Sequence, residues 1–382
     1  MLSQETPAFA PLVPYGWDDG YATDFAAHAR RGLTPGRVVR VDRGRVDAVV
    51  PDATREHDPD LPGLRTVLAD TGPVATSDPL RVPCTGDWVA LELGPTRAGL
   101  DAVIRALLPR RTAFVRSTSS KRSDGQVLAA NVDRAVIAVS LAAELDLGRV
   151  ERFVSLAWNS GAQPLVLLTK ADLIHHPGTL DHLLEDVREV APGVPVHAVS
   201  ALGGTGVERL AELFAGGTSV LLGPSGAGKS TLANTLSGRA TQRVHAIRDV
   251  DGKGRHTTTT RDLLPLPGGG LLIDTPGLRG VGLWGAEAGL SRAFAEIEEL
   301  AAECRFGDCE HRTEPGCAVR EAVDSGELAP RRLESHRKLQ RENARLAART
   351  DARLRAERRR ETRQRQRQGQ EDLARKRGVR WA

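Results

Sequence analysis

The sequence predicts a multidomain protein: an all-β barrel, then an α/β domain built on a mostly parallel sheet, then a mainly helical, zinc-binding domain. Three observations predict this order. Short β segments separated by turns follow Gly36, strands alternate with helices after Pro109, and a cluster of cysteines with one histidine interrupts the helical region beyond Gly289. The 382 residues suffice for several domains, and a 40% hydrophobic content supports ordinary packed cores.

These patterns divide the chain into an N-terminal extension (1–35), a barrel (36–108), an α/β domain (109–289), a zinc-binding domain (290–345) and a basic tail (346–382). The extension is rich in Pro, Gly and mixed polar residues and has little periodicity. A loosely attached arm is therefore the favoured interpretation of residues 1–35.

The barrel is predicted from five short β segments, at residues 37–41, 45–50, 66–68, 87–93 and 101–108. Five strands over about seventy residues fit an OB-fold, which often binds oligonucleotides. An SH3-like barrel or another small β-domain would have the same pattern, so these alternatives stay open.

The α/β domain is predicted from apolar segments at 135–140, 164–169, 194–199, 219–222 and 271–273, which alternate with helical periodicity. Gly161 and Gly238 lie where two of the helices would stop. Such alternation predicts a mostly parallel sheet with helices on both faces. Helical segments near 321–323 and 333–346 belong to the last domain.

The most specific motif is a phosphate-binding loop. Residues 223–230 match G-x-x-x-x-G-K-[ST] and lie between an apolar segment and a predicted helix. Backbone N–H groups would cradle the β-phosphate, Lys229 would reach the β- and γ-phosphates, and the Ser230 hydroxyl would bind Mg²⁺. The predicted phosphate-binding residues are Gly223, Pro224, Ser225, Gly226, Ala227, Gly228, Lys229, Ser230 and Thr231.

A D-x-x-G motif, Asp274 to Gly277, ends the next apolar segment. Alone this match is common by chance, but its place 44 residues after Ser230 supports it. Asp274 would hold Mg²⁺ through water, and the Gly277 amide would contact the γ-phosphate.

The guanine-binding motifs lie upstream of the phosphate loop. Guanine presents N–H donors that adenine lacks, so a fixed carboxylate such as that of Asp172 selects GTP over ATP. Lys170 would lie along the base, and the Ala201 amide would donate to guanine O6. The predicted guanine-site residues are Thr169, Lys170, Ala171, Asp172, Ser200 and Ala201. Because these motifs normally follow D-x-x-G, the order indicates a circularly permuted P-loop GTPase domain, which is tolerable since domain termini lie close together.

Two residues depart from the usual GTPase pattern. Thr169 replaces the Asn of N-K-x-D, a change that we expect to loosen the pocket, and Leu278 stands where many GTPases carry a water-positioning Gln. The segment 254–260, G-R-H-T-T-T-T, occupies the place of switch I. We therefore predict that His256 positions the attacking water and that Thr258 joins Ser230 as a Mg²⁺ ligand; a surface histidine is the alternative for His256.

A structural zinc site is predicted from C-x₄-C-x-H-x₅-C. Three thiolates and one imidazole complete a closed tetrahedral site, so catalysis by this zinc is not expected. The predicted ligands are Cys304, Cys309, His311 and Cys317. The alternative of unliganded thiols is disfavoured because the loop offers few apolar residues to fold without a metal.

Charge and cysteine usage predict the compartment and the partner class. Residues 331–382 carry 19 Lys and Arg against 7 Asp and Glu, whereas the rest of the chain is mildly acidic. A polyanionic partner at the C-terminal end follows. The absence of a leader-like or membrane-spanning segment and the ligand-like cysteine cluster predict a cytoplasmic protein in a reducing compartment, without a membrane partner. We expect a monomer.

From about Gly36 to Gln340, the chain resembles the ribosome small-subunit-dependent GTPase A family, bacterial GTPases of late 30S maturation. The resemblance rests on the order N-V-D-R-A-V-I-A-V-S, T-K-A-D, S-A-L, G-P-S-G-A-G-K-S, G-R-H-T-T-T-T, D-T-P-G and the Cys/His cluster. It implies an OB-fold, a permuted GTPase domain, one zinc ion, and GTP hydrolysis stimulated by the 30S subunit and its 16S rRNA. It also favours His256 as the hydrolytic residue.

Two other functions remain to be separated from a 30S-stimulated GTPase. A nucleotide-gated RNA-binding scaffold with negligible turnover is favoured by Leu278 alone. An ATP-using P-loop protein is disfavoured by Asp172.

Overall fold

The structure, a computed structural model, describes residues 9–55, 61–76, 78–96, 99–117, 125–238, 261–274 and 287–350. Five strands close the N-terminal barrel in the order β1-β2-β3-β5-β4, with β3 and β5 the parallel pair. This closed barrel confirms the predicted all-β domain, and it matches the five-stranded Greek-key barrel of the OB-fold. Its strands are β1 (Thr34–Asp42), β2 (Arg45–Pro51), β3 (Leu64–Asp70), β4 (Trp88–Leu93) and β5 (Ala102–Leu107).

The loosely attached arm expected for the N-terminus is wrong for residues 9–33. These residues form a 3₁₀ turn (Ala10–Tyr15) and helix α1 (Asp19–Ala29), which starts where the Asp18 carboxylate accepts the Tyr21 N–H at 3.0 Å. Aromatic side chains bury the segment against Trp88 of the barrel; they are Phe9, Trp17, Tyr21 and Phe25. This packing was not predicted, although Trp17, Tyr21 and Phe25 recur every four residues, as they would along one face of a helix.

A hairpin that the sequence analysis missed links the barrel to the central sheet. Its strands, β6 (Ala113–Ser117) and β7 (Gly125–Ala130), pair antiparallel. Asn131 directly follows β7. Its side chain donates to the Gly86 carbonyl at 3.0 Å and accepts the Arg111 N–H at 2.9 Å. The hairpin therefore attaches the barrel to the sheet through a buried amide.

The central sheet has six strands in the order β10-β9-β8-β11-β13-β12, and β12 is its antiparallel edge. This arrangement confirms the mostly parallel sheet. Its strands are β8 (Arg134–Ser140), β9 (Gln163–Thr169), β10 (Val196–Val199), β11 (Thr218–Leu222), β12 (Leu263–Pro265) and β13 (Leu271–Asp274). The helices between them are α2 (Leu147–Ser160), α3 (Pro177–Val190), α4 (Val207–Phe214) and α5 (Lys229–Ser237). Gly161 and Gly238 end α2 and α5 in left-handed conformations, as predicted.

Among the described residues 287–350, four helices follow: α6 (Glu287–Ala293), α7 (Ala295–Ala302), α8 (Ala318–Ser325) and α9 (Pro330–Thr350). Helix α6 lies so close to α2 that a Cβ at Gly289 would come within 2.2 Å of the Ser155 carbonyl oxygen. Helix α9 reaches α2 through the buried Glu151 carboxylate, which accepts hydrogen bonds from Arg331, Arg332 and Ser335. The C-terminal helices are thus fastened to α2.

Within the described part of the chain, no helix is long and apolar enough to cross a lipid bilayer.

Candidate functional site

The predicted nucleotide motifs meet at one edge of the central sheet. Strands β8, β9, β10, β11 and β13 are parallel, so their carboxyl ends share that edge. In register, Thr169 pairs with Val199, and Leu221 pairs with Asp274. The structure therefore brings together the segments 169–172, 200–201 and 223–231, and it places the backbone of Asp274 beside the base of the phosphate loop.

The phosphate loop joins β11 to α5 in a conformation that requires glycine. Gly223 has φ 139°, and a Cβ there would come within 2.5 Å of the Ala138 carbonyl oxygen on the neighbouring strand. The buried Lys229 begins α5, and its ammonium donates to the carbonyls of Gly223 at 2.9 Å and Pro224 at 2.8 Å. These bonds hold a cation inside the loop at a helix N-terminus, which is an arrangement suited to phosphate. Ser230 and Thr231 lie in the first turn of the same helix.

Thr169 ties the predicted guanine motif to the phosphate loop. Its Oγ1 lies 2.9 Å from the Ala227 carbonyl oxygen and 3.2 Å from that of Val139, and the residue is only 2% exposed. A hydroxyl can donate to one of these carbonyls at a time. The threonine that replaces the usual asparagine thus keeps a direct link between β9 and the loop.

Asp172 is held in place by Ser200, the residue that directly follows β10. The buried Ser200 hydroxyl donates to Asp172 Oδ1 at 2.5 Å and accepts the Gly203 N–H at 2.8 Å. Asp172 itself is exposed, so its carboxylate is accessible to a purine base. Lys170 adopts a left-handed conformation with φ 60°, uncommon for a residue with a side chain. Lys170 and Asp172 therefore lie together at the carboxyl end of β9.

A cavity of about 300 Å³ lies between the phosphate loop and the start of α2. Lys170 and Pro224 to Ala227 line one side of it. Residues that the sequence analysis did not single out line the other; they include Ser140, Glu144, Asp146, Arg149 and Phe153. The sequence could have indicated these residues, because residues 140–149 follow an apolar strand of the parallel sheet. The carboxyl end of that strand had to lie at the same edge as the other motifs.

Several predicted residues lie outside the described part of the chain: His256, Thr258, Gly277 and Leu278. Their roles remain predictions.

The four predicted zinc ligands converge. His311 Nδ1 lies 3.6 Å from Cys304 Sγ and 3.4 Å from Cys317 Sγ, and the four candidate ligand atoms, with that of Cys309, lie within 4.8 Å of one another. The Cys304 and Cys317 sulfurs are 3.8 Å apart, far beyond a disulfide bond. Three sulfurs and one nitrogen at this spacing fit a tetrahedral Zn²⁺ site.

The environment of the cluster acts differently on its members. Burial raises the pKa of the Cys304 thiol, but hydrogen bonds from the backbone N–H groups of Val319 and Ala318 and from the Cys317 and Cys309 thiols outweigh that effect, and the net pKa is lowered. Burial and the two neighbouring thiols instead raise the pKa of Cys309 to about 11. Burial and the nearby Arg337 lower the pKa of His311, which favours the neutral imidazole that a metal requires.

Comparisons with known proteins agree with this geometry. A family model described as RsgA GTPase matches residues 107–284. The chain is 61% identical over 368 residues to the small ribosomal subunit biogenesis GTPase RsgA of Streptomyces avermitilis, covering 96% of this chain and 95% of the relative. It is 62% identical over 367 residues to the protein of that name from Streptomyces coelicolor, covering 96% of each.

Two solved structures share the architecture. The crystal structure of YjeQ from Thermotoga maritima is similar with a TM-score of 0.57 and 26% identity, over 81% of this chain and 98% of that one. That of YloQ, described as a circularly permuted GTPase, has a TM-score of 0.57 at 21% identity, over 81% of this chain and 95% of that one, and supports the fold alone.

Proposed function

Because the chain belongs to the RsgA GTPase family, we propose that it hydrolyses GTP to GDP and phosphate in late maturation of the small ribosomal subunit. The observation that carries the proposal is the meeting of the guanine and phosphate motifs at one sheet edge. Relatives of 61–62% identity that cover nearly the whole chain bear the name of a small-subunit biogenesis GTPase.

In this proposal the nucleotide spans the carboxyl ends of β9, β10 and β11. Asp172, oriented by Ser200, accepts the guanine N–H groups, and the Ala201 amide donates to O6. The phosphate loop and Lys229 bind the β- and γ-phosphates. The residues proposed for Mg²⁺ are Ser230, Thr258 and, through water, Asp274; the ion would neutralise charge on the phosphates.

For hydrolysis, we assign His256 to positioning the attacking water. The residue after the D-x-x-G motif is Leu278, and a leucine side chain cannot orient water. The Gly277 amide contacts the γ-phosphate. Binding of the 30S subunit would bring these groups into their reactive arrangement and so stimulate turnover.

The proposed partner is the 30S subunit, contacted through its 16S rRNA. Helix α9 exposes Lys338, Arg341 and Arg345, whose spacing places them along one face. The Arg-rich sequence of residues 351–382 follows, and clustered basic side chains are suited to RNA phosphates. We propose a cytoplasmic monomer that binds 30S in the GTP state through barrel, zinc domain and tail, and leaves after hydrolysis.

Steady-state GTP hydrolysis with and without purified 30S subunits tests the proposal. We expect strong stimulation by 30S and none in Lys229→Ala, which loses the phosphate-binding cation. Turnover that is negligible in both conditions, with GTP still bound, would instead identify a nucleotide-gated RNA-binding scaffold, the alternative that Leu278 favours.

A further inference from the structure

The loop between Cys309 and Cys317 is folded around one carboxylate, that of Glu314. Its Oε1 accepts the Glu310 N–H at 3.1 Å. Its Oε2 accepts the N–H groups of Arg312 at 2.6 Å and Thr313 at 2.8 Å. Two of these amides flank His311, so the carboxylate holds the backbone on both sides of a predicted zinc ligand.

His311 needs such support because its backbone is left-handed, with φ 57°. A residue with a side chain pays free energy for this conformation and keeps it only where surrounding contacts impose it. The Arg337 guanidinium of α9 adds a contact to His311 itself by donating to its carbonyl. With the backbone fixed in this way, His311 Nδ1 lies 3.4 Å from Cys317 Sγ and 3.6 Å from Cys304 Sγ.

We propose that Glu314 is a positioning residue of the zinc centre, which holds His311 in its ligating conformation before the metal binds. Glu314 is not itself a ligand, since the converging donor atoms belong to Cys304, Cys309, His311 and Cys317. Groups that orient metal ligands through hydrogen bonds typically change metal affinity by about 10- to 100-fold when removed. No role in GTP hydrolysis is needed for this inference.

The test is the zinc dissociation constant of the reduced, full-length protein, measured by competition with a chromophoric chelator. For Glu314→Gln we expect the constant to rise about 10- to 100-fold, because a neutral amide oxygen accepts weaker bonds from the three N–H groups. The matched control is Glu310→Gln, which removes the same charge from the same loop. The Glu310 carboxylate contacts the exposed Arg312 at 3.1 Å, so a change of less than about threefold is expected.

A second variant separates position from charge. Glu314→Asp keeps the carboxylate but shortens its reach, so it too should weaken zinc binding, whereas GDP affinity should stay unchanged. Substitution with Co²⁺ provides a spectroscopic check: at saturation both Glu314 variants should keep the four-coordinate thiolate spectrum of the wild type, because the ligands are the same.

Three outcomes would overturn the inference. They are wild-type zinc affinity in Glu314→Gln or Glu314→Asp, equal losses in Glu314→Gln and Glu310→Gln, and a changed Co²⁺ coordination spectrum, which would make Glu314 a ligand. A wild-type protein that takes up no zinc overturns the zinc assignment itself and leaves the proposed GTPase function standing.

Discussion

Two buried arginines fasten the neighbouring regions to the central domain. One is paired with carboxylates, and the other is bonded to neutral groups. Arg332 of α9, 4% exposed, lies between two carboxylates: it donates to Glu151 on α2 at 2.8 Å and to Glu296 on α7 at 2.8 Å. Its remaining bonds go to the carbonyls of Val190 and Ala293. The C-terminal junction is thus a buried ion-pair network.

Arg37 of β1, 1% exposed, joins the N-terminal segment, the barrel and the sheet, and it has no ion-pair partner among the residues that the structure describes. Within that part of the chain its guanidinium donates to neutral acceptors, and it also lies 4.9 Å from the centre of the Trp88 ring. The acceptors are the carbonyls of Tyr15 at 3.3 Å and Asn131 at 2.9 Å and the Thr218 hydroxyl at 3.3 Å. Burial lowers the pKa of Arg37 to about 10, which still leaves it charged near neutral pH.

Because of this difference, we expect the loss of each arginine to lower the free energy of unfolding by a different amount. Removing one partner of a buried ion pair leaves an uncompensated charge, which is far more costly than losing hydrogen bonds to neutral groups.

The largest effect is expected from Arg332→Met. The Glu151 side chain is fully buried and would keep only the partly exposed Arg331 and the Ser335 hydroxyl as partners, so the free energy of unfolding should fall by about 3 kcal/mol, the lower end of the range for a broken buried ion pair. Urea unfolding measures this loss. The double variant Arg332→Met with Glu151→Gln should recover much of it, and a double variant as unstable as the sum of the single ones would contradict the ion-pair account.

A smaller loss, of about 2 kcal/mol, is expected from Arg37→Met, because hydrogen bonds are lost but a desolvation cost is removed with the charge. Urea unfolding again provides the measurement. The Asp133 carboxylate is close enough to raise the pKa of Arg37, and it accepts the Thr218 N–H at 2.6 Å. Asp133→Asn in the Arg37→Met background is therefore the control. If Arg37→Met cost as much as Arg332→Met and Asp133→Asn rescued it, Asp133 would be a true counter-charge and the contrast between the junctions would fail.

Acid should loosen the C-terminal junction through His336. Burial, assisted by the charges of Arg332 and Arg337, lowers the pKa of His336 to about 4. The unfolded chain takes up this proton near pH 6.5 and the folded chain only near pH 4, so stability falls as the pH drops between these values. The contribution at pH 5.5 is on the order of 1 kcal/mol.

The variant His336→Phe isolates this contribution. Among the described residues, neither ring nitrogen of His336 has a hydrogen-bond partner, so phenylalanine should be tolerated at neutral pH. Between pH 7.5 and pH 5.5 the variant should lose less stability to urea than the wild type. An identical pH dependence would show that His336 is not the group that titrates.

The smallest effect is expected from Arg40→Gln. Arg40 of the barrel pairs with Asp262 beside β12 at 2.7 and 2.8 Å, but its side chain is 45% exposed. Solvent-exposed ion pairs contribute less than about 1 kcal/mol, so the urea midpoint should hardly move. A loss as large as that of Arg37→Met would mean that charge pairing, rather than bonds to neutral acceptors, holds the N-terminal junction.

Much of the candidate site could be predicted because its motifs are local. The phosphate loop, T-K-A-D and the cysteine spacing each depend on a few consecutive residues, and the strands before them carry clear apolar runs. Helix α1 was missed although Trp17, Tyr21 and Phe25 have helical spacing, because the Pro- and Gly-rich residues around them indicated a loop. The β6–β7 hairpin was missed because seven residues, 118–124, separate its strands, more than in the short turns that mark a hairpin in sequence. Likewise, nothing in the sequence indicated that the Thr169 hydroxyl would reach the Ala227 carbonyl.

From the sequence alone we predicted the barrel, the permuted order of the nucleotide motifs and the four cysteine and histidine side chains that converge, because each depends on residue types at short, fixed spacing. How the neighbouring regions attach to the sheet could be seen only in the folded protein. Arg37 meets Thr218, and Arg332 meets Glu151, each across 181 positions of the chain. Such contacts form only when packing excludes water from both partners, and no local pattern encodes which distant residues will meet.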